Sequence, residues 1–94
     1  MTYARIYSNH KEIVAALRQV GATVVSLAAM KHGCPDLLVG YAGETMLMEI
    51  KKDSKAKFTP DQIDFMGKWK GGAVSRVDSV DAALRALGVI KKVL

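Results

Sequence analysis

Asp36, Glu49 and Lys51 are the residues of this chain whose types and spacing could do chemistry. Asp36 follows Gly33-Cys34-Pro35 and opens the apolar run Leu37-Leu38-Val39, while Glu49 and Lys51 flank Ile50 at the end of a second run, Thr45-Met46-Leu47-Met48. Paired carboxylates can hold a hard divalent cation through oxygen. Mg2+ or Mn2+ would take Asp36, Glu49 and the Ile50 carbonyl and keep positions for water and a phosphate oxygen. An ammonium at Lys51 would orient or deprotonate an attacking water, or neutralise charge building on phosphorus. The set suits phosphodiester hydrolysis. The competing reading is ordinary: Asp36 caps a turn after Pro35, and Glu49 and Lys51 form a surface ion pair at a strand end.

The chemical reading makes a demand on the elements that carry these groups. Strand side chains alternate, so Thr45, Leu47, Glu49 and Lys51 share one face and Met46, Met48 and Ile50 the other. Ala42-Gly43-Glu44 is short enough to require an antiparallel hairpin between the two strands. For Asp36 to join the acid pair it must lie across from Glu49, which also pairs Gly40 with Thr45. A slip by one residue would send Asp36 to the opposite face.

The rest of the chain supplies the frame. Asn9 followed by Glu12 resembles a capping box, and Ile13, Val14, Ala16, Leu17 and Val20 recur at helical spacing until Gly21. Residues 23–28, 36–41 and 45–50 read as strands. Thr59-Pro60-Asp61-Gln62 combines an N-cap, a proline at the first helical position and a capping-box glutamine, opening a helix through Ile63, Phe65, Met66 and Trp69 that Gly71-Gly72 ends. Residues 73–77 read as a fourth strand, and Asp78 or Ser79 caps a last helix through Val80, Ala83, Leu84 and Leu87, stopped by Gly88. Residues 89–94 are expected to form a strand or an interface segment. The order is αβββαβα, an α/β fold with a mixed sheet flanked by helices.

Composition narrows the function classes. With 94 residues the chain has room for one domain, 1–94, and one modest core. Half of the residues are hydrophobic, which leaves apolar surface for a partner and favours a homodimer. A net charge of +5 favours polyanions. The lysines cluster: Lys52, Lys55 and Lys57, with Ser54 between them, form a basic loop directly after the second strand of the hairpin, placed to grip backbone phosphate. Lys31 and His32 extend this groove from the other side. Cys34 is the only cysteine, which excludes an intrachain disulfide and a cysteine-based zinc site and fits a reducing, cytoplasmic setting. With no His-Asn or His-Asp arrangement to activate it, Cys34 reads as packing. Neither His10 nor His32 has a second ligand nearby in sequence, and Trp69 reads as core or interface. No run approaches membrane-spanning length, and the N-terminus shows no cleavage signal.

Taken together, Gly33-Cys34-Pro35-Asp36-Leu37, Glu49-Ile50-Lys51 and Thr59-Pro60-Asp61-Gln62 resemble the PD-(D/E)XK nuclease superfamily, specifically its virus-type replication-repair nuclease (VRR-NUC) domain, whose core is shared by archaeal Holliday junction resolvases. The resemblance covers about the whole chain in element order and implies a restriction-endonuclease-like core. It implies that Asp36 and Glu49 are metal ligands, Ile50 a backbone ligand and Lys51 the catalytic lysine. Gln62 matches a glutamine such nucleases often carry near the site. Glu12 matches an acid of the first helix that binds a second metal or a metal water. Both have a competing role as helix caps, and one amide at Gln62 is not expected to serve cap and site equally well. The implied activity is a metal-dependent DNA endonuclease, structure-selective on branched, forked or junction DNA as a homodimer. The alternative is a non-catalytic nucleic-acid-binding module that uses the basic loop.

Overall fold

Alternation of buried and half-buried residues along Leu37-Leu38-Val39 sets the inner face of the sheet, because every second side chain points to the same side. A computed structural model of the protein describes residues 8–90. The elements in chain order are α1 (Ser8–Gln19), β1 (Thr23–Ser26), β2 (Leu37–Tyr41), β3 (Glu44–Ile50), α2 (Pro60–Lys68), β4 (Val74–Val77) and α3 (Val80–Leu87). The expected order αβββαβα is the observed one. Of the expectations at the chain ends, those on residues 1–7 and 91–94 lie outside the described residues, and 89–90 form no strand.

The sheet order is β1-β2-β3-β4. Strands β1, β2 and β3 run antiparallel in a meander, whereas β4 returns through α2 to lie parallel to β3. Between β2 and β3 the hairpin register pairs Gly40 with Thr45 and Leu37 with Met48. Its turn is the two residues Ala42 and Gly43, both at positive φ (51° and 80°), the backbone that keeps the right-handed twist of the flanking strands. Glu44 is therefore the first residue of β3 rather than part of the loop.

Helices α1 and α3 pack against each other. Ile13 and Leu17 of α1 and Ala83 of α3 join Leu37, Val39, Met48, Ile50 and Val77 of the sheet in one buried core. Ser79 is the N-cap of α3, its hydroxyl accepting from Ala82 N at 3.0 Å, and Gly88 closes the helix in the left-handed region.

Two expectations are corrected here. Asn9 does not cap α1: it lies inside the helix, and its Nδ2 donates to the carbonyls of Lys51 (2.9 Å) and Asp78 (3.0 Å), tying α1 to the ends of β3 and β4. The side chain is oriented by two long-range carbonyl acceptors on Nδ2, and its Oδ1 takes no backbone N–H of α1. Of the two readings of Trp69, core or interface, core is excluded: it is 45% exposed, and α2 contributes no buried residue. Its indole stacks on Phe65 at 5.5 Å and donates Nε1–H to the Gly72 carbonyl, so it braces the end of α2 instead of filling the interior.

Candidate active site

Pro35 is buried and, lacking an N–H, has no donor to give the ladder just before β2 begins. Asp36 sits at that junction: its carbonyl accepts from Leu27 N at 2.7 Å, continuing the β1 pairing, and its carboxylate Oδ2 accepts from Ile50 N at 2.9 Å. Extending the β2–β3 register by one residue places Asp36 opposite Glu49, since Leu37 faces Met48. The two carboxyl groups are neighbours on the face away from α1 and α3, close enough for the Asp36 charge to act on Glu49. The register that the chemistry demanded is the one the hairpin adopts.

Glu49 and Lys51 are almost entirely enclosed, at 5% and 4% exposure. Burial, and then the neighbouring Asp36 charge, push the Glu49 carboxyl up to about 7, with Lys51 pulling the other way. Lys51 Nζ lies 3.6 Å from Glu49 Oε2 and 5.5 Å from the centre of the Phe58 ring. An ordinary surface ion pair would be exposed to solvent, whereas this one is enclosed.

Gln62 completes the cluster. Its Oε1 accepts from Lys51 Nζ at 2.7 Å and from Thr59 N at 2.9 Å, and its Nε2 donates to Glu49 Oε2 at 2.9 Å. Thr59 Oγ1 accepts from Gln62 N in return, so the capping box is intact. The expectation that one amide would not serve both roles is therefore overturned. A carbonyl oxygen has two lone pairs, one for the helix cap and one for the lysine, and the NH2 remains for the carboxylate. This donor and acceptor pattern also fixes which end of the amide is oxygen.

Helix α2 is brought to this position by Gly33. A Cβ on Gly33 would lie 2.2 Å from the Asp61 carbonyl oxygen, so only glycine lets the loop before β2 close on the first turn of α2. His32 and Gly33 both have positive φ, 64° and 79°. Lys31 and His32 are exposed on this loop, and Lys52, Ser54, Lys55 and Lys57 are exposed on the loop that follows β3. Burial, followed by the negative fields of Asp36 and Glu49, raises the Cys34 thiol, which makes it a poor nucleophile.

Glu12 is exposed on α1, and among the described residues no three His, Cys, Asp or Glu side chains gather closely enough to hold a metal ion. The acid set brought together is Asp36 and Glu49 alone. Those two still fit a hard cation. Glu49 Oε1 is buried without a hydrogen-bond partner, and the Glu49 carboxyl, raised by burial and by the adjacent Asp36 charge, lacks a full counter-charge. Mg2+ commonly binds through one or two carboxylates, with waters and phosphate supplying the rest.

Sequence reasoning missed four residues here: Asn9 as a clamp on the Lys51 carbonyl, Gly33 as a contact glycine, Phe58 beneath the lysine, and Arg76, which pairs in register with Glu49. Only Arg76 carried a signal, as a charge inside a short strand.

Fold and site together define a nuclease-type α/β domain. A solved structure described as a VRR_NUC domain is similar to this chain at 26% identity with a TM-score of 0.66, covering 83% of this chain and 88% of the other. The chain has the VRR-NUC fold. No protein-family model and no curated protein matches the sequence.

Proposed function

We propose that this protein is a metal-dependent DNA endonuclease that hydrolyses phosphodiester bonds, acting as a homodimer on branched, forked or junction DNA. The observation that carries the reading is the enclosed cluster of Asp36, Glu49, Lys51 and Gln62, with one Glu49 oxygen left without a partner. Asp36, Glu49 and the Ile50 carbonyl would hold Mg2+ or Mn2+. Such an ion supplies Lewis-acid polarisation of a phosphate oxygen and an acidified water.

The chain's own groups do the remainder. Lys51, held by Gln62, keeps N–H donors for a non-bridging phosphate oxygen and stabilises the charge that grows as water adds and the leaving oxygen departs. Gln62 aims that ammonium and holds Glu49 at the same time, so the relative placement of acid and lysine does not depend on substrate. The slight exposure of both groups admits a water or a phosphate oxygen and excludes bulk solvent, which strengthens each electrostatic contact. Lys52, Lys55 and Lys57, with Ser54, and Lys31 and His32 on the facing loop, would grip the backbone without reading bases. Exposed Met30, Ile63 and Trp69 offer apolar surface to a second copy, which sedimentation would detect.

The test is cleavage of a forked duplex in Mn2+. Asp36→Asn and Lys51→Ala should each lower the rate by at least about a hundredfold while circular dichroism stays unchanged. Undiminished cutting by either variant refutes the assignment. Salt-sensitive binding by the parent protein with no cutting in any divalent metal would favour the non-catalytic binding module.

A further inference from the structure

The lysine loop between β3 and α2 carries a high density of positive charge, yet its backbone is tightly held. Asp53 Oδ1 accepts from Lys55 N and Ala56 N, both at 2.9 Å, which folds the loop into an arch. The carbonyls of Asp53 and Ala56 both turn inward and accept from Arg76 Nη2, each at 2.7 Å. Arg76 Nη1 is taken by Asp78 Oδ2 at 3.1 Å. The guanidinium is thus shared between the arch and Asp78, just past the end of β4, and Arg76 sits in register beside Glu49 of the acid pair. Lys52, Lys55 and Lys57 are left exposed on the outside of the arch.

We infer that Arg76 is a positioning residue for nucleic-acid binding: it locks the arch at 53–56 so that Lys52, Lys55 and Lys57 present a preset row of ammonium groups to backbone phosphates beside the acid pair. The inference rests on the nuclease reading for the identity of the polyanion. Its physical basis is preorganisation. An unpinned loop would have to be ordered on binding, at a cost for each residue fixed, and the two charge-assisted bonds from Arg76 remove that cost beforehand. Three of its five N–H donors, both on Nη2 and one on Nη1, are already engaged by protein acceptors, so Arg76 acts through the loop, and the salt slope distinguishes this from a direct phosphate contact.

Two variants test this with a short fluorescein-labelled forked duplex in EDTA, where nothing is cut. Arg76→Gln removes the clamp, and Asp53→Ala opens the arch from its exposed side without touching the sheet. Asp53→Ala also makes the loop more positive, so simple electrostatics expects tighter binding, whereas loss of the arch expects weaker binding. The expected result is a Kd raised about fivefold to tenfold in both variants, with a slope of log Kd against log salt equal to that of the parent. In native protein, tryptic cleavage after Lys52, Lys55 and Lys57 should accelerate in both. Tighter binding by Asp53→Ala overturns the inference, as does unchanged binding and unchanged proteolysis in either variant. A salt slope reduced by about one in Arg76→Gln also overturns it, since that marks a direct phosphate contact. Failure of the parent protein itself to bind DNA would instead sink the nuclease reading and this inference with it.

Discussion

Replacing Glu49 by Gln should stabilise the metal-free protein at alkaline pH. The carboxyl is raised from an ordinary 4.5 to about 7 by burial and by Asp36. A folded-state value above the unfolded one means that the group's contribution is fully present below pH 4.5 and is lost as pH climbs through about 7. At about 1.4 kcal/mol per pH unit, the rise from 4.5 to about 7 corresponds to a loss of roughly 2–4 kcal/mol. Glutamine imitates the protonated acid: its oxygen can still accept from Gln62 Nε2, and its NH2 can donate towards Asp36. In EDTA, thermal unfolding of the parent protein should therefore fall by about 10 °C more than that of Glu49→Gln between about pH 4.5 and 8.5. Mg2+ or Mn2+ at the upper pH should restore the parent and leave the variant unmoved, because binding to the folded state alone stabilises by mass action. Parallel pH profiles for the two proteins would refute the claim that Glu49 is held as a repelled, buried acid.

Gly33→Ala should destabilise by about 2–4 kcal/mol in urea unfolding, since the new methyl meets the α2 backbone and the residue keeps a positive φ; near-parental stability would mean that the loop and α2 are not packed as described. Gln62→Ala should cost about 1–2 kcal/mol and also lower cleavage, whereas Thr59→Ala, which removes only the Thr59 half of the box, should cost about 1 kcal/mol and leave cleavage near that of the parent. Equal effects of the two substitutions on the cleavage rate would show that Gln62 matters only as a cap.

Local rules reached far in this chain because its signals are local. The β2–β3 hairpin is set by two continuous apolar runs joined by a two-residue turn, and once Gly40 faces Thr45 the alternation of strand side chains puts the acids at either end opposite each other. The same holds for α2, whose Thr59-Pro60-Asp61-Gln62 start is written in consecutive residues, and for α3 with Ser79 and Gly88 at its ends. Asp36, Glu49, Lys51 and Gln62 are therefore legible in the sequence as types and positions. Tertiary structure decided what those side chains do with their spare valences. Gln62 serves cap, lysine and carboxylate at once because the crossover from β3 through α2 to β4 lays its amide over the strand. Asn9 left its expected cap for carbonyls of Lys51 and Asp78, far off in sequence. Arg76 found the lysine arch 20 and 23 residues away, and Gly33 found the backbone of α2. Hydrogen bonds between distant segments leave no periodicity behind, so spacing in the sequence could identify the acids and the lysine, while only the folded chain could say what holds them in place.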